Sequence, residues 1–318
     1  MKEKKTILVT GGAGFIGSAL TKRLVEHGND VVVIDNFNQY YDPELKRKRQ
    51  EVFLGDAVVV EGDITDQICL EELFTEYEFD AVAHLAAQAG VRYSVEVPES
   101  YVAANVLGTQ ILLEAMRKHE VKQLVYASTS SVYGINTPLP FLETASADKP
   151  VSVYAATKRA GELLAHSYYQ QYDIHATCLR FFTVYGPWSR PDMAMLKFAE
   201  KIQQGRAIDV YNHGNLRRDF TYIDDIVNGF IGALSKSLGY EIINLGNGTP
   251  VELMHFIELL EKYLGKTAKK NMIDMQQGDV FETYADITKA KELLGYKPQI
   301  GFDEGTQVFV DWFKSYFR

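Results

Sequence analysis

Thr6-Ile-Leu-Val-Thr10 is a short apolar, β-rich run that breaks into Gly11-Gly-Ala-Gly-Phe-Ile-Gly17. Beyond it Ile16, Leu20 and Leu24 recur at helical spacing as far as about His27. A second apolar run, Val31-Val-Val-Ile34, ends at Asp35. Strand, glycine turn, helix, strand and acid in this order admit few folds, because two parallel strands need a helix to cross between them. Gly12 and Gly14 permit the tight turn and let backbone approach a pyrophosphate, while Gly17 lets the helix pack on the sheet. The helix N-terminus then presents unpaired N–H groups to phosphate. Asp35, 18 residues beyond Gly17, is placed to accept hydrogen bonds from an adenosine ribose. Its charge would repel a 2′-phosphate, so the pattern reads as NAD rather than NADP.

The alternation continues. Ala57-Val-Val-Val60 leads to Gly62-Asp63-Ile64, an acid at a strand end where an adenine amino group can be read. Asp80-Ala-Val-Ala-His-Leu85 is a further strand, and the small Ala86-Ala87 after it lets backbone approach a cofactor. His84 sits inside that apolar run and reads as a satisfied core histidine rather than a catalytic one. Residues 101–118 and 153–172 read as helices, 123–128 and 176–182 as strands. Such repetition means a doubly wound parallel α/β sheet of Rossmann type, covered by helices on both faces. Ligands of such sheets gather at the carboxyl ends of the strands. The glycine turn, Asp35, Asp63, Ala86-Ala87 and Ser128 to Ser131 all fall there.

After Tyr185 the regularity fades. Gly186-Pro-Trp-Ser-Arg-Pro191 is a loop, and helical stretches near 194–204 and 251–264 bracket Arg217-Arg-Asp-Phe-Thr-Tyr-Ile-Asp-Asp225 and Glu241-Ile-Ile-Asn-Leu245. The reading is a dinucleotide-binding domain over 1–182, with a returning segment at about 219–248. Residues 183–218 and 249–318 form a smaller α/β substrate-binding domain.

A chain of 318 residues, 46% hydrophobic, can bury one large core or two modest ones. Its net charge of −9 is that of a soluble protein and argues against nucleic acid or an anionic membrane surface as a main partner. No apolar run approaches the ~20 residues of a spanning helix, and Met-Lys-Glu-Lys-Lys is too short a start for a signal peptide. Cys69 and Cys178 lie far apart without a C-x-x-C, so neither a disulfide framework nor a metal site is expected. A reducing cytoplasm fits this usage.

Tyr154 and Lys158 stand four residues apart in Val151-Ser-Val-Tyr-Ala-Ala-Thr-Lys-Arg-Ala-Gly161, which puts a phenol and an ammonium on one helix face. A free tyrosine titrates near ~10, so a base at pH 7 needs a downward shift of roughly 3 units, about 4 kcal/mol. A neighbouring ammonium supplies part of that by favouring the phenolate, and a nicotinamide cation would add to it. Ser128-Thr-Ser-Ser131 follows a strand at the edge where Tyr154 should also point. A hydroxyl there can bond a substrate oxygen and share its proton with Tyr154. Alone, such a spacing arises by chance on helices and serines often end strands; the glycine turn, the hydroxyls and the Tyr-Lys pair carry the reading together.

Those three motifs resemble the extended short-chain dehydrogenase/reductase family: Thr10-Gly-Gly-Ala-Gly-Phe-Ile-Gly17, the hydroxyls ahead of Val132-Tyr133-Gly134, and Tyr154-x-x-x-Lys158. Within that family the chain most resembles the UDP-glucuronate 4-epimerases. The likeness runs through Asp35-Asn-Phe-Asn-Gln-Tyr-Tyr-Asp42, His84-Leu-Ala-Ala-Gln-Ala-Gly-Val-Arg-Tyr-Ser94, Arg180-Phe-Phe-Thr-Val-Tyr-Gly-Pro-Trp188, Arg190-Pro-Asp-Met-Ala194 and Arg218-Asp-Phe-Thr-Tyr-Ile-Asp-Asp225.

The resemblance implies tightly held NAD, reduced and reoxidised within one cycle that interconverts UDP-glucuronate and UDP-galacturonate through a 4-keto sugar. Tyr154 is then the base, Lys158 its partner and the holder of the nicotinamide ribose, and Thr129 the catalytic hydroxyl. The cofactor cradle comprises Gly11, Gly14, Phe15, Ile16, Gly17, Asp35, Asn36, Asp63, Ile64, Leu85, Ala86, Ala87 and Asn105, together with Tyr154 and Lys158. Arg190 is placed to meet the uronate carboxylate bidentately, with Ser130, Ser131 and Thr183 completing its site and Arg92 a weaker candidate. Arg218 falls near the diphosphate, Asp279 on the uridine ribose, and Lys197 adds charge. Family 4,6-dehydratases carry Asp-Glu after the catalytic Thr, and UDP-xylose-forming decarboxylases a Glu before Val-Tyr-Gly. Ser130 and Ser131 stand there instead, which makes elimination unexpected. Ser189 replaces a usual Gly, Gln277 a usual Pro and Phe281 a common Pro. The alternatives are a UDP-glucose 4-epimerase or a decarboxylase on the same scaffold, and a non-catalytic NAD-binding regulator. The resembled fold dimerises through the 101–118 and 153–172 helices. Ile111, Leu112, Met116, Leu163, Leu164 and Tyr168 supply apolar surface either to that contact or to the chain's own core.

Overall fold

A strand covered on both faces has no polar side, which is why the inner strands read as unbroken apolar runs. In the computed structural model, which describes residues 4–275 and 280–317, β1 (Thr6–Thr10) runs through α1 (Phe15–Glu26), β2 (Asp30–Asp35), α2 (Pro43–Phe53), β3 (Val58–Glu61) and α3 (Gln67–Glu76) to β4 (Ala81–His84). Two short helical turns, α4 (Tyr93–Glu96) and α5 (Pro98–Tyr101), pass through a π-helical segment, Val102–Leu107, into α6 (Gly108–Lys118). β5 (Gln123–Thr129), α7 (Val153–Tyr172) and β6 (His175–Phe181) follow. The second half comprises β7 (Thr183–Tyr185), α8 (Ala194–Gln203), β8 (Ala207–Tyr211), β9 (Arg217–Tyr222), α9 (Ile223–Leu234), β10 (Tyr240–Leu245), β11 (Pro250–Glu252), α10 (Leu253–Leu264), β12 (Lys269–Ile273), β13 (Glu282–Thr283), α11 (Thr288–Leu294) and α12 (Phe302–Tyr316).

Seven strands form one parallel sheet in the order β10-β6-β5-β4-β1-β2-β3. The direction of winding reverses at β1, where Ile7 pairs with Val31 on one side and Ala81 on the other. A crevice opens at that switch point, at the carboxyl ends of the strands. Side chains alternate between two apolar layers, as a period of two requires. Leu8, Val32, Ile34, Val82 and Leu124 join one layer with α3 and α6, while Ile7, Val9, Val31, Val33 and Val125 join the other. That second layer continues into the rest of the chain through Phe220, Phe230, Phe256 and Phe309. α9 packs against α1 and β5, and β10 then adds to the sheet beside β6. β9 instead pairs with β7, β11 and β13 in a separate sheet, and β8 pairs with β12.

The apolar residues of the two long helices divide. Leu112, Met116 and Tyr168 are buried in the chain's own core, with Ile111 and Leu164 packed partly against it. Leu163, 54% exposed, alone among the six turns outward. Among the described residues no helix is long and apolar enough to cross a membrane.

Candidate active site

The glycine turn works differently from its sequence reading. The left-handed residue is Gly11, at φ +70°, and a Cβ there would stand 2.7 Å from the Ala86 nitrogen. A Cβ on Gly12 would run into Val33. One on Gly17 would reach 2.2 Å from the Gly11 carbonyl, so Gly17 lets α1 close on the turn that ends β1. Gly14 opens α1 with no side-chain cap, which leaves first-turn N–H groups directed at the cavity mouth, a fit for a pyrophosphate.

That cavity is lined by Gly11, Gly14, Phe15, Ile16, Gly17, Asp35, Asn36, Asp63, Ile64, Leu85, Ala86, Ala87, Tyr154, Lys158 and Arg190. Of the expected cradle only Asn105 is missing from the wall. It is buried behind it, where its amide accepts from Gln88 N at 2.8 Å and donates to Gln88 O and Thr157 Oγ1 at 3.0 Å each. Asn105 thus ties the loop after β4 to α7. Asp35, 5% exposed, accepts from Phe37 N at 2.9 Å, Ala13 N at 3.1 Å and Lys46 Nζ at 3.0 Å. Lys46 neutralises it, so repulsion of a 2′-phosphate is weaker than Asp35 alone implies. Burial opposes charge on Asp63, yet hydrogen bonds from Asn36 and Thr65 outweigh it and hold the carboxyl below its ordinary range. His84 is fully buried between Thr10 Oγ1 at 2.7 Å and Thr109 Oγ1 at 3.0 Å. Burial drives its pKa down to about 3, so it stays neutral.

Ser152 caps α7 by accepting from Ala155 N, and the helix carries Tyr154 and Lys158 onto one side of the cavity. Lys158 is 2% exposed, 4.1 Å above the Tyr126 ring, and burial pulls its pKa down to about 7. Burial pushes the Tyr154 phenol up; the Arg190 guanidinium and a hydrogen bond from Thr129 pull it back, and Asp192 opposes them. Arg190 thus adds a second cation to the Lys158 that the sequence reading set beside Tyr154. Thr129 Oγ1 also accepts from Ser131 N and lies within hydrogen-bond distance of Ser131 Oγ, both at 3.2 Å, so the hydroxyl run forms one turn beside the phenol. Behind it, Glu162 is wholly buried and accepts from Ser128 Oγ at 2.5 Å, from Arg180 at 2.9 and 2.8 Å, and from Arg159 at 2.8 Å.

Arg190 is not free. Its Nε and Nη2 each donate to Asp192 at 3.0 Å, and Tyr40 Oη donates to the same carboxylate at 3.1 Å. Thr183, Ser130, Ser131 and Thr129 do not line the dinucleotide cavity; Thr183 opens β7 immediately beyond β6. Lys197 is exposed on α8. Arg218, partly buried on β9, donates to the Arg217 and Phe281 carbonyls at 2.9 and 3.2 Å. Arg92 lies on the surface, 5.1 Å over the Tyr211 ring, and not in the cavity wall. Asp279 lies outside the described residues.

Sequence reading missed Lys46, Arg49, Tyr40, Asp192 and Glu162. Lys46 and Arg49 belong to the run Lys46-Arg-Lys-Arg49, whose signal was the N-cap Asp42 ahead of Pro43 at the start of α2.

The model of a family described as NAD dependent epimerase/dehydratase matches residues 7–246. A UDP-glucuronate 4-epimerase of Arabidopsis thaliana is 47% identical over 98% of this chain and 76% of its own length. Among solved structures, a UDP-glucuronic acid 4-epimerase of Bacillus cereus, in complex with UDP-glucuronic acid and NAD, superposes with a TM-score of 0.91 at 36% identity, over 98% of this chain and 99% of that one. A UDP-glucose 4-epimerase of Thermotoga maritima, with UDP-glucose, gives the same TM-score at 32% identity over 98% and 100%. The backbone is thus common to uronate and neutral-sugar enzymes, and the distinction rests with side chains.

Proposed function

Because the chain belongs to the NAD dependent epimerase/dehydratase family, we propose that it inverts C4 of UDP-glucuronate to give UDP-galacturonate, with NAD as its cofactor. The observation that carries this reading is the cavity wall shared by Tyr154, Lys158 and Arg190 with the glycine turn. A base, its helical partner and a cation suited to an acidic sugar face the place a dinucleotide would occupy. NAD, which the glycine turn, Asp35 and Lys158 would hold, would supply reversible hydride acceptance at C4. Tyr154 accepts the C4 hydroxyl proton, and Thr129, bonded to the phenol, shares the hydrogen bond to the sugar oxygen. Lys158 holds the nicotinamide ribose. The same Tyr154 returns the proton once the 4-keto sugar has turned its other face to the cofactor, which needs a firm grip on UDP and a looser one on the sugar. Arg218, Asp279 and Lys197 are assigned the firm grip. Ser130, Ser131, Thr183 and Arg190 are assigned the carboxylate, with Arg92 the weaker candidate. Residues 1–182 with the returning segment hold the cofactor in this scheme. A homodimer through α6 and α7 and a cytoplasmic setting belong to the same proposal.

One observation favours a second reading. Arg190 spends its bidentate edge on Asp192, so a neutral sugar would need no exchange of partners, as in a UDP-glucose 4-epimerase. Incubation with UDP-glucuronate and, separately, UDP-glucose decides between them. UDP-galacturonate without release of CO₂ is expected; UDP-xylose or a UDP-4-keto-pentose refutes the proposal, and turnover of UDP-glucose alone establishes the second reading.

A further inference from the structure

Arg49 is fully buried, on a helix whose other basic residues serve the surface or the ribose acid. A buried guanidinium ordinarily meets a carboxylate. Here its hydrogen-bond partners are three main-chain carbonyls and one phenol. Nε donates to the Trp188 carbonyl at 3.1 Å and Nη2 to the same oxygen at 2.7 Å; Nη2 also reaches the Ser189 carbonyl at 3.4 Å. Nη1 donates to Tyr41 Oη at 2.7 Å and to the Ala13 carbonyl at 3.4 Å.

The two ends of this fork lie in places 175 residues apart in sequence. Ala13 is in the middle of the glycine turn, and its N–H is bound by Asp35, so the same residue is pinned from both sides. Trp188 and Ser189 immediately precede Arg190. Trp188 holds φ +63°, a left-handed conformation a bulky residue keeps only when its surroundings insist. Its ring packs on Phe53, Trp312 and Tyr316 at 5.6, 5.6 and 4.9 Å. Among the described residues no main-chain N–H bonds the Trp188 carbonyl; Arg49 takes that place.

We infer that Arg49 is a positioning residue: it fastens the loop carrying Arg190 to the dinucleotide turn and so fixes Arg190 relative to Tyr154. The inference rests on the reading of Tyr154 as the base. It means that the sugar end of the site is referenced to the cofactor turn, while Arg218, the part of the UDP grip on β9, is not. Loss of Arg49 therefore acts on turnover rather than on nucleotide affinity.

The test uses Arg49→Met and Arg49→Lys in the full-length holoenzyme, with kcat and KM for UDP-glucuronate, Kd for UDP, and the pH dependence of kcat. A displacement of about 1 Å costs on the order of 10²-fold in rate, so Arg49→Met is expected to lower kcat by about that factor. Its Kd for UDP should stay within roughly threefold of wild type. With Arg190 displaced, less opposes the effect of burial on Tyr154, so the rising limb of kcat against pH should move to higher pH. Arg49→Lys keeps one charged donor and should recover part of both changes. If Arg49→Met does not fold, the limb shift in Arg49→Lys decides. An unmoved limb, or a Kd for UDP that worsens in step with KM, overturns the inference. Tyr154→Phe separates the two levels: wild-type turnover there defeats the base assignment, whereas an inactive Tyr154→Phe beside an unmoved limb in the Arg49 variants defeats only the positioning role.

Discussion

Glu162→Gln removes the acid from a buried cluster in which Arg180 is 1% exposed and Glu162 not at all. Arg180 makes its bidentate pair with that carboxylate at 2.9 and 2.8 Å, and its Nη1 already lacks a hydrogen bond. The variant would turn an amide N–H₂ toward guanidinium donors and leave a cation in the core. Breaking such a pair on one side costs about 3–5 kcal/mol, because the remaining charge keeps its desolvation penalty. At about 2.1 cal/mol/K per residue, a chain of 318 residues unfolds with an entropy of roughly 0.7 kcal/mol/K. The midpoint should therefore fall by about 4–7 °C. Scanning calorimetry and urea titration of Glu162→Gln, Arg180→Met and the double variant form the assay. The double variant should recover much of the loss, since the only cation it leaves without Glu162 is Arg159, which is 21% exposed and has Asp148 at 4.0 Å. Midpoints that fall additively, with the double variant the least stable, would show that the cluster is not a charge pair and refute the reasoning. Burial opposes the Glu162 charge, but the hydrogen bonds and charge of Arg180 hold its pKa below the ordinary carboxylate value. That stabilisation is present above the unfolded carboxylate pKa and is lost as pH falls through the folded one.

Tyr154→Phe should lower kcat by at least about 10²-fold while NAD stays bound, read by product formation and by absorbance of the purified protein. His84, with its pKa driven down to about 3, binds its proton only in the unfolded chain between there and about 6.5. Stability should thus fall as pH drops below that unfolded value, by about 1.4 kcal/mol per unit. Urea unfolding at pH 7 and pH 5 should show wild type losing about 2 kcal/mol more than His84→Asn; equal losses would refute it. Gly17→Ala drives a methyl to 2.2 Å from the Gly11 carbonyl, so the turn must open. Gel filtration should then strip the dinucleotide from the variant and not from wild type.

The sheet was legible because its inner strands are buried on both faces, and a run such as Val31-Val-Val-Ile34 can be little else. The cavity wall was legible for the same reason that parallel sheets bind ligands at one edge: the residues after β1, β2, β3 and β4 must converge there. α2 was not legible. Pro43-Glu-Leu-Lys-Arg-Lys-Arg-Gln50 offers hydropathy no apolar stripe, since the residues α2 buries are Lys46 and Arg49. The helix at 101–118 was foreseen as one rod, yet it begins at Pro98 and widens into a π-helical segment at Val102–Leu107. That segment holds Asn105 inward to bond Gln88 and Thr157, a need set by tertiary contacts and absent from the local pattern. The short strands β8, β11, β12 and β13 are two to five residues long, too brief for a period of two to declare itself.

The charges left over point to why a dinucleotide would be held tightly. Asp35 is paired with Lys46, Arg190 with Asp192, and Glu162 with Arg159 and Arg180. Among the described residues, two buried cations have no carboxylate hydrogen-bonded to them: Arg49 behind the glycine turn, and Lys158 on the cavity wall. Burial lowers the pKa of both, and Asp35 near Arg49 and Glu162 near Lys158 offset it only in part. A pyrophosphate at the N-terminus of α1 would bring negative charge to the side of the site where Arg49 bonds Ala13, and a ribose beside Lys158 would bring it hydroxyl acceptors. Filling the cofactor site would thus offset part of a desolvation penalty the folded chain has already incurred.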